Sequence, residues 1–140
     1  MNKSNFIHSE ITEKIISCFY KVYNKLGYGF LEKVYEKALL IELERSGLRY
    51  SAQKSVKVYY DEFEIGKYIP DVIVEDLVVI ENKAAITISA AHEEQLRNAL
   101  RSTDCEVGLL LNFGITPQFK RKVFANEFKN HKTNNKLIIS

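Results

Sequence analysis

The chain has 140 residues, of which 46% are apolar, and its 20 basic and 18 acidic side chains leave a net charge of +2. This length predicts one domain over residues 1–140 with a substantial hydrophobic core, and it leaves little room for two. The balanced charge excludes a globally basic chain, so any contact with nucleic acid would depend on local clusters of basic residues.

The cysteines and the N-terminus bear on the cellular compartment. Cys18 and Cys105 lack the CxxC or Cys/His spacing of a zinc site, and we interpret both as free thiols in a reducing cytosol. The N-terminal "MNKSNFIHSEITEK" lacks the apolar run of a signal peptide, and no window approaches the roughly 20 apolar residues that span a bilayer. We therefore expect a soluble, cytoplasmic protein with no membrane partner.

Two helices are predicted before the first strand. Apolar residues recur at helical spacing over 9–26, with Ser9 as a candidate N-cap and Gly27 just after the last turn. A second helix is predicted from about Leu31 to Ser46, ended by Gly47. We expect the two helices to pack as a hairpin.

The strands and the remaining helices follow. Segments 54–60, 63–69, 71–74 and 77–83 predict a meander of three or four strands, with a turn at Asp61 and Glu62. A helical pattern over 90–102 and a continuous apolar run over 106–114 predict a helix that crosses between two strands of a mixed sheet. After Pro117 we predict a short helix carrying Phe119, Val123 and Phe124, then a candidate edge strand in the final "LIIS". The order predicts an α/β or α+β fold, with helices covering the sheet.

Three charged residues stand among the apolar residues of two predicted strands. Asp71 opens one strand, while Glu81 and Lys83, two positions apart, project from one face of the next. A two-residue turn between these strands would leave the two carboxylates on opposite faces of the sheet. A three-residue loop, Glu75 to Leu77, or a bulge would place Asp71 opposite Glu81 at about 5 Å. We predict this second arrangement.

Two carboxylates held that close repel each other and raise each other's pKa, unless a cation lies with them. Magnesium suits such a site because it prefers hard oxygen ligands and retains several waters. Lys83 would then orient the attacking water and stabilise the charge that builds on a phosphate.

These residues resemble a known signature. Pro70-Asp71, nine intervening residues and Glu81-Asn82-Lys83 resemble the motif of the PD-(D/E)XK nuclease superfamily. Within it, the segment "GFLEKVYEKALLIELERSGL" is similar to the GxxExxY family, whose motif is matched here by Gly29, Glu32 and Tyr35. The resemblance runs from about residue 9 to residue 124 and includes "HEEQLRNAL" and "VGLLLNFG".

The resemblance implies a restriction-endonuclease-like core over about residues 9–125, in which helices flank a mixed sheet and a helical hairpin precedes it. It also implies Mg²⁺ or Mn²⁺ as the cofactor and nucleic acid as the substrate, with DNA preferred to RNA. The residues to which it assigns roles are Asp71, Glu81, the carbonyl of Asn82 and Glu32 as metal ligands, Lys83 as the catalytic lysine, and Gln95 as the glutamine of a QxxxY motif. The sequence departs from that motif at Ala99, which stands in place of the tyrosine.

Plainer interpretations exist for each acid. Asp71 could be a strand-start acid after proline, and Glu81 with Lys83 an ion pair on an exposed face. The apolar flanks instead indicate strands buried on both faces, where charges need partners. Glu32 could be an ordinary acid at a helix start, and Glu36 competes with it for a role in the site.

The other candidates also have two interpretations. We interpret Tyr35 as a core residue whose hydroxyl reaches a partner, and Gln95 as either a site residue or a solvated helix residue. A set of basic residues with interleaved aromatic residues could follow a phosphate backbone or form a solvated face over the core. Its members are Lys120, Arg121, Lys122, Lys129, His131 and Lys132, with Phe119, Phe124 and Phe128.

The leading hypothesis is a metal-dependent nuclease. One alternative is a catalytically silent nuclease-fold module that binds nucleic acid or a protein partner. Another is a scaffold whose acidic cluster is a structural ion network, which would place Asp71 and Glu81 on opposite faces. A homodimer would suit so small a nuclease, since one active site cuts one strand.

Overall fold

The computed structural model describes residues 7–129. The helices in this range are α1 (Ser9–Leu26), α2 (Glu32–Arg45) and α3 (Ala90–Ser102), with a short 3₁₀ turn at Asn126–Phe128. The strands are β1 (Tyr50–Ala52), β2 (Val56–Tyr60), β3 (Phe63–Tyr68), β4 (Val72–Val74), β5 (Val78–Lys83), β6 (Val107–Phe113) and β7 (Pro117–Val123). Within residues 7–129, no helix is long and apolar enough to cross a membrane.

Five strands form one sheet in the order β1-β4-β5-β6-β7. β5 and β6 run parallel and are joined by α3, whereas the other neighbouring strands of this sheet are antiparallel. The predicted mixed sheet with a helical crossover is therefore confirmed, together with the α+β class. β1 was not predicted, because only three residues pair with β4 and they carry little strand signal of their own.

The sheet separates two hydrophobic clusters. One face, which includes Ile80, packs against the hairpin of α1 and α2. The other face, which includes Ile73 and Val79, packs beneath α3. Because side chains alternate along a strand, Glu81 and Lys83 follow Val79 onto the side of β5 that faces α3.

The first two helices lie where the sequence places them, with one correction at an end. Ser9 is the first residue of α1 and not its N-cap, because His8 precedes it in the left-handed conformation, with a φ of 56° and no side-chain capping bond. Gly27 ends α1 with a φ of 70°, a conformation that glycine adopts without strain.

The predicted single meander is wrong. β2 and β3 pair only with each other and form a separate two-stranded sheet, whose turn is at the predicted Asp61, with a φ of 53°. β3 mixes Glu64 and Lys67 with its apolar residues, and most of it is exposed. β3 therefore lacks the buried apolar residues of an inner strand, and β4 pairs with β1 instead.

The predicted helix after Pro117 is also wrong, because this segment is β7. It pairs with β6 along its whole length, from Val107 opposite Val123 to Phe113 opposite Pro117. β6 is fully buried, and without β7 its outer edge would leave backbone groups unpaired. This requirement overrides the helical spacing of the apolar residues. The candidate strand "LIIS" lies outside the described residues.

Candidate active site

The predicted pairing of Asp71 with Glu81 is confirmed. The register of β4 and β5 pairs Val72 with Ile80, and one step further along it Asp71 lies opposite Glu81. The Oδ2 of Asp71 accepts a 2.7 Å hydrogen bond from the backbone N–H of Asn82. The two carboxylates therefore project from the same face, which is not the arrangement that a structural ion network predicted.

A three-residue loop sets this register, as predicted. Val74 pairs with Val78, so residues 75–77 form the connection, and the N–H of Leu77 donates to the carbonyl of Val74 over 2.9 Å. Glu75 and the residue after it have φ values of 54° and 56°. The carboxylate of Glu75 accepts from the backbone N–H of Arg49 at 2.7 Å, which fastens the loop to the start of β1.

Glu81 is a buried acid with an unused oxygen. It is 7% exposed, and its Oε1 has no hydrogen-bond partner among the described residues. Burial raises the pKa of Glu81 to about 7, repulsion from Glu32 and Glu36 acts in the same direction, and attraction to Lys83 opposes both. A nearby cation would favour the ionised form.

The other acids share this electrostatic environment. Burial raises the pKa of Asp71, repulsion from Glu36 adds to the rise, and the hydrogen bond from Asn82 opposes it. Glu32 is exposed at the start of α2, where partial burial and repulsion from Asp71 and Glu36 raise its pKa against the attraction of Lys83. The acids of α2 and of the β4–β5 hairpin therefore act on one another, and a cation would relieve their repulsion.

Glu36, on α2, and Gln53, just after β1, support the site. Glu36 is 6% exposed, its Oε1 accepts a 3.0 Å hydrogen bond from Gln53, and Lys33 lies 4.0 Å from its other oxygen. The backbone N–H of Gln53 donates to the carbonyl of Asp71 over 3.1 Å. Glu36 was recognisable as an acid one turn from Glu32. Nothing in the sequence marks Gln53, because its position results from the pairing of β1 with β4.

Tyr35 fastens the loop that leads into α2. Its side chain is fully buried, and its hydroxyl donates to the carbonyl of Gly27 at 2.5 Å and accepts from the N–H of Phe30 at 3.1 Å. Gly29 lies in this loop with a φ of 118°, which favours glycine. The predicted core role of Tyr35 is confirmed, and the bonds fix the start of the helix that carries Glu32.

A cavity of about 360 Å³ lies between β3, β5 and α3. Its wall includes Glu81, Lys83 and Gln95, so the structure brings Gln95 to the same cavity as two residues of the strand motif. Tyr68 and Asn98 complete the wall. Sequence reasoning missed both: Tyr68 reaches the cavity through the separate β2–β3 hairpin, and Asn98 lies one turn after Gln95 on α3. The volume is within the range of about 300–1,000 Å³ that is typical of ligand sites.

Asn112 fixes the segment that follows β5. The parallel register places it beside Lys83, and its buried side chain accepts from the N–H of Ala85 at 2.9 Å and donates to the carbonyl of the same residue at 3.0 Å. A Cβ on Gly114 would meet the carbonyl oxygens of Ala85 and Ile86, so the loop approaches the backbone closely there. This role of Asn112 could not be predicted from the sequence, because it depends on the parallel pairing of β5 with β6.

Comparison with known proteins agrees with this geometry. Residues 9–123 match the PD-(D/E)XK nuclease superfamily. The chain belongs to this superfamily. No curated protein and no solved structure matches it. The mixed sheet with its crossover helix is the PD-(D/E)XK nuclease fold, and the narrower assignment to the GxxExxY family remains a prediction.

The oxygen donors of this PD-(D/E)XK chain fit Mg²⁺ or Mn²⁺ in kind. Asp71, Glu81 and the carbonyl of Asn82 are hard ligands, and a cation would satisfy the buried Oε1 of Glu81. Among residues 7–129, no three His, Cys, Asp or Glu side chains are grouped closely enough to hold a metal ion. Two carboxylates are still sufficient for Mg²⁺, because this ion usually retains several waters.

The basic residues on and after β7 are mostly engaged within the protein. Lys122 forms a 2.9 Å ion pair with an acid at the start of α3, and Arg121 donates to a backbone carbonyl near the N-terminus at 2.6 Å. Lys129 is buried and donates to two backbone carbonyls after α3. These three cations therefore do not form a free basic surface. His131 and Lys132 lie outside the described residues.

Proposed function

We propose that this protein is a metal-dependent nuclease that hydrolyses phosphodiester bonds in nucleic acid. One observation carries the proposal: Asp71 lies opposite Glu81 on the face of the sheet that also presents Lys83. Membership of the PD-(D/E)XK superfamily supports the reaction class. The buried, unpartnered oxygen of Glu81 supports a ligand at this position.

In this proposal Asp71, Glu81 and the carbonyl of Asn82 hold Mg²⁺ or Mn²⁺, and Glu32 lies at the rim of the site. A bound divalent ion would supply Lewis-acid stabilisation of the charge on the phosphate. The hydrogen bond from Asn82 to Asp71 holds one carboxylate oxygen in place, so ligand binding does not have to order that side chain.

Lys83 has two tasks in the proposed reaction. Its ammonium group orients the attacking water and stabilises the negative charge that develops on the phosphate. Gln95, on the facing wall of the cavity, contributes an amide that can contact the same phosphate or the water.

Finer assignments belong to the same proposal. Gly29, Glu32 and Tyr35 support the GxxExxY family, since Gly29 and Tyr35 shape the loop that precedes Glu32. We propose DNA in preference to RNA as the substrate, in the cytoplasm.

The test is metal-dependent cleavage by purified protein. Labelled single-stranded and double-stranded DNA and RNA are incubated with the wild type, Asp71→Ala and Lys83→Ala in Mg²⁺ or Mn²⁺. Lys67→Ala, on the exposed strand β3, is the matched control for the lysine. We expect cleavage by the wild type and the control only. Cleavage that survives both site substitutions would overturn the mechanism.

A catalytically silent nuclease-fold module is the second candidate. Two observations favour it: no group of three metal-ligating side chains is found within residues 7–129, and Ala99, at the position of the expected tyrosine, is buried on the face of α3 that packs against the sheet. Titration calorimetry separates the two candidates. A silent module would bind no Mg²⁺ or Mn²⁺ in a manner that depends on Asp71 and Glu81.

A further inference from the structure

Four of the five residues in the wall of the cavity between β3, β5 and α3 can donate a hydrogen bond from their side chains. Lys83 carries an ammonium group, Tyr68 a hydroxyl, and Gln95 and Asn98 a side-chain amide each. Glu81 is the acid of this wall. A phosphodiester offers only acceptor oxygens, so a wall of donors complements it.

Tyr68 occupies an unusual position in this wall. It is the last residue of β3, it packs against the hydrophobic cluster beneath α3, and its hydroxyl is enclosed without a hydrogen-bond partner in the described part of the chain. Leaving a buried hydroxyl unpaired costs free energy, because the group has lost its hydrogen bonds to water and gained none in the protein. A ligand that accepts from the hydroxyl would recover this cost, so the feature points to a bound group in the cavity.

The α3 side of the cavity contributes two side-chain amides that can also donate to a phosphate. Gln95 and Asn98 are three positions apart, which places them on one side of the helix, and both are exposed. Neither side chain forms a hydrogen bond to another residue within 7–129. Their amides are therefore available to a ligand that enters from solvent.

We propose that Tyr68 and Asn98 are substrate-binding residues that contact a phosphodiester of the nucleic-acid strand next to the bond that is cut. This inference rests on the proposed function, since the strand must pass Lys83 for its neighbouring phosphate to reach this wall. The contacts come from uncharged donors. They therefore add affinity without the counterion release that accompanies each lysine or arginine contact.

The test is binding without cleavage, in EDTA, followed by the anisotropy of a labelled single-stranded oligonucleotide over a series of salt concentrations. Loss of one hydrogen bond to a charged phosphate predicts a fall in affinity of roughly tenfold for Tyr68→Phe and for Asn98→Ala. The slope of log affinity against log salt should not change for either variant. Lys83→Ala, by contrast, should reduce the slope by about 1.

Tyr60→Phe is the matched control, because Tyr60 is 67% exposed on β2 of the same hairpin. Asn98→Ala keeps the test valid if Tyr68→Phe fails to fold, since Asn98 is exposed and alanine is a better helix former. Unchanged affinity of Asn98→Ala, or of a folded Tyr68→Phe, would overturn the inference. So would a fall of similar size in Tyr60→Phe.

Cleavage gives an independent readout. If the wild type cleaves, Tyr68→Phe should raise KM and leave kcat nearly unchanged, because the contact is the same in the ground state and in the transition state. Cleavage that requires Lys83 but shows no effect of Tyr68→Phe or Asn98→Ala on affinity or KM would reject these contacts and leave the nuclease intact. Binding that depends on both residues without any cleavage would reject the nuclease; it would keep the contacts to a phosphodiester and overturn their position next to a bond that is cut.

Discussion

Asn82 donates its backbone N–H to the Oδ2 of Asp71 over 2.7 Å, and this bond ties the end of β5 to the start of β4. It holds the two carboxylates of the proposed metal site in one register, since Glu81 directly precedes Asn82. It also leaves the second oxygen of Asp71 available for a ligand. The bond therefore prepares the site before any cation binds.

Asp71→Asn should remove the negative charge of this residue and keep its hydrogen bond to Asn82. The amide oxygen of asparagine can still accept from Asn82, so we expect the fold to survive. The loss of one negative charge should weaken Mn²⁺ binding roughly tenfold or more, measured by titration calorimetry. Asp61→Asn is the control, because Asp61 lies in the exposed turn of the separate hairpin with a φ of 53°, which asparagine tolerates. Equal Mn²⁺ affinity in the two variants would contradict the assignment of Asp71.

Substitution of Lys83 should affect the rate more than the binding of metal. Lys83→Ala removes the positive charge that faces the developing negative charge, so we expect kcat to fall by about 10²–10³ while Mn²⁺ still binds. Lys83→Arg should restore only part of the rate, because a planar guanidinium does not present its protons as an ammonium does. Single-turnover cleavage of a labelled oligonucleotide measures both. A rate for Lys83→Ala within twofold of the wild type would exclude a catalytic role.

The buried carboxyl of Glu81 should make the metal-free protein less stable as the pH rises. Its pKa is raised from 4.5 to about 7 in the folded state, so between these values the folded state binds more protons than the unfolded state. Its contribution to stability is present at pH 4.5 and is lost as the pH rises through 7. The raised pKa corresponds to a loss on the order of 3 kcal/mol.

Glu81→Gln tests this expectation. Urea unfolding in EDTA at about pH 5 and pH 8 should show that the variant gains stability relative to the wild type at the higher pH. The exposed Glu62→Gln should show no such gain. A constant difference between Glu81→Gln and the wild type at both pH values would show that Glu81 is not buried in its charged form.

The parts of the site that could be predicted from the sequence are those set by neighbours along the chain. Side-chain alternation along two adjacent strands left two possible registers, and the three-residue length of the loop between them places Asp71 opposite Glu81. Neighbours along the chain also determine α1, α2 and α3, whose apolar spacing is regular over several turns.

The parts that could not be predicted depend on contacts between distant segments. β7 is a strand because β6 needs a partner, and the spacing of Phe119 and Val123 gave no sign of that need. Gln53 joins the site only because β1 pairs with β4. Tyr68 reaches the cavity because the β2–β3 hairpin forms its own sheet. Such tertiary pairings override local pattern.

Gly114 packs against the loop after Lys83, and we expect that this loop leaves no space for a side chain at position 114. A Cβ there would meet the carbonyl oxygens of Ala85 and Ile86, so Gly114→Ala must displace the segment after β5 that Asn112 holds. We expect a loss of about 1–3 kcal/mol in the free energy of unfolding. Gly66→Ala is the matched control, because it has open space around it and an ordinary φ. Chemical denaturation measures both variants. Equal stability of the two would mean that the loop is free to move and that Asn112 does not hold it in place.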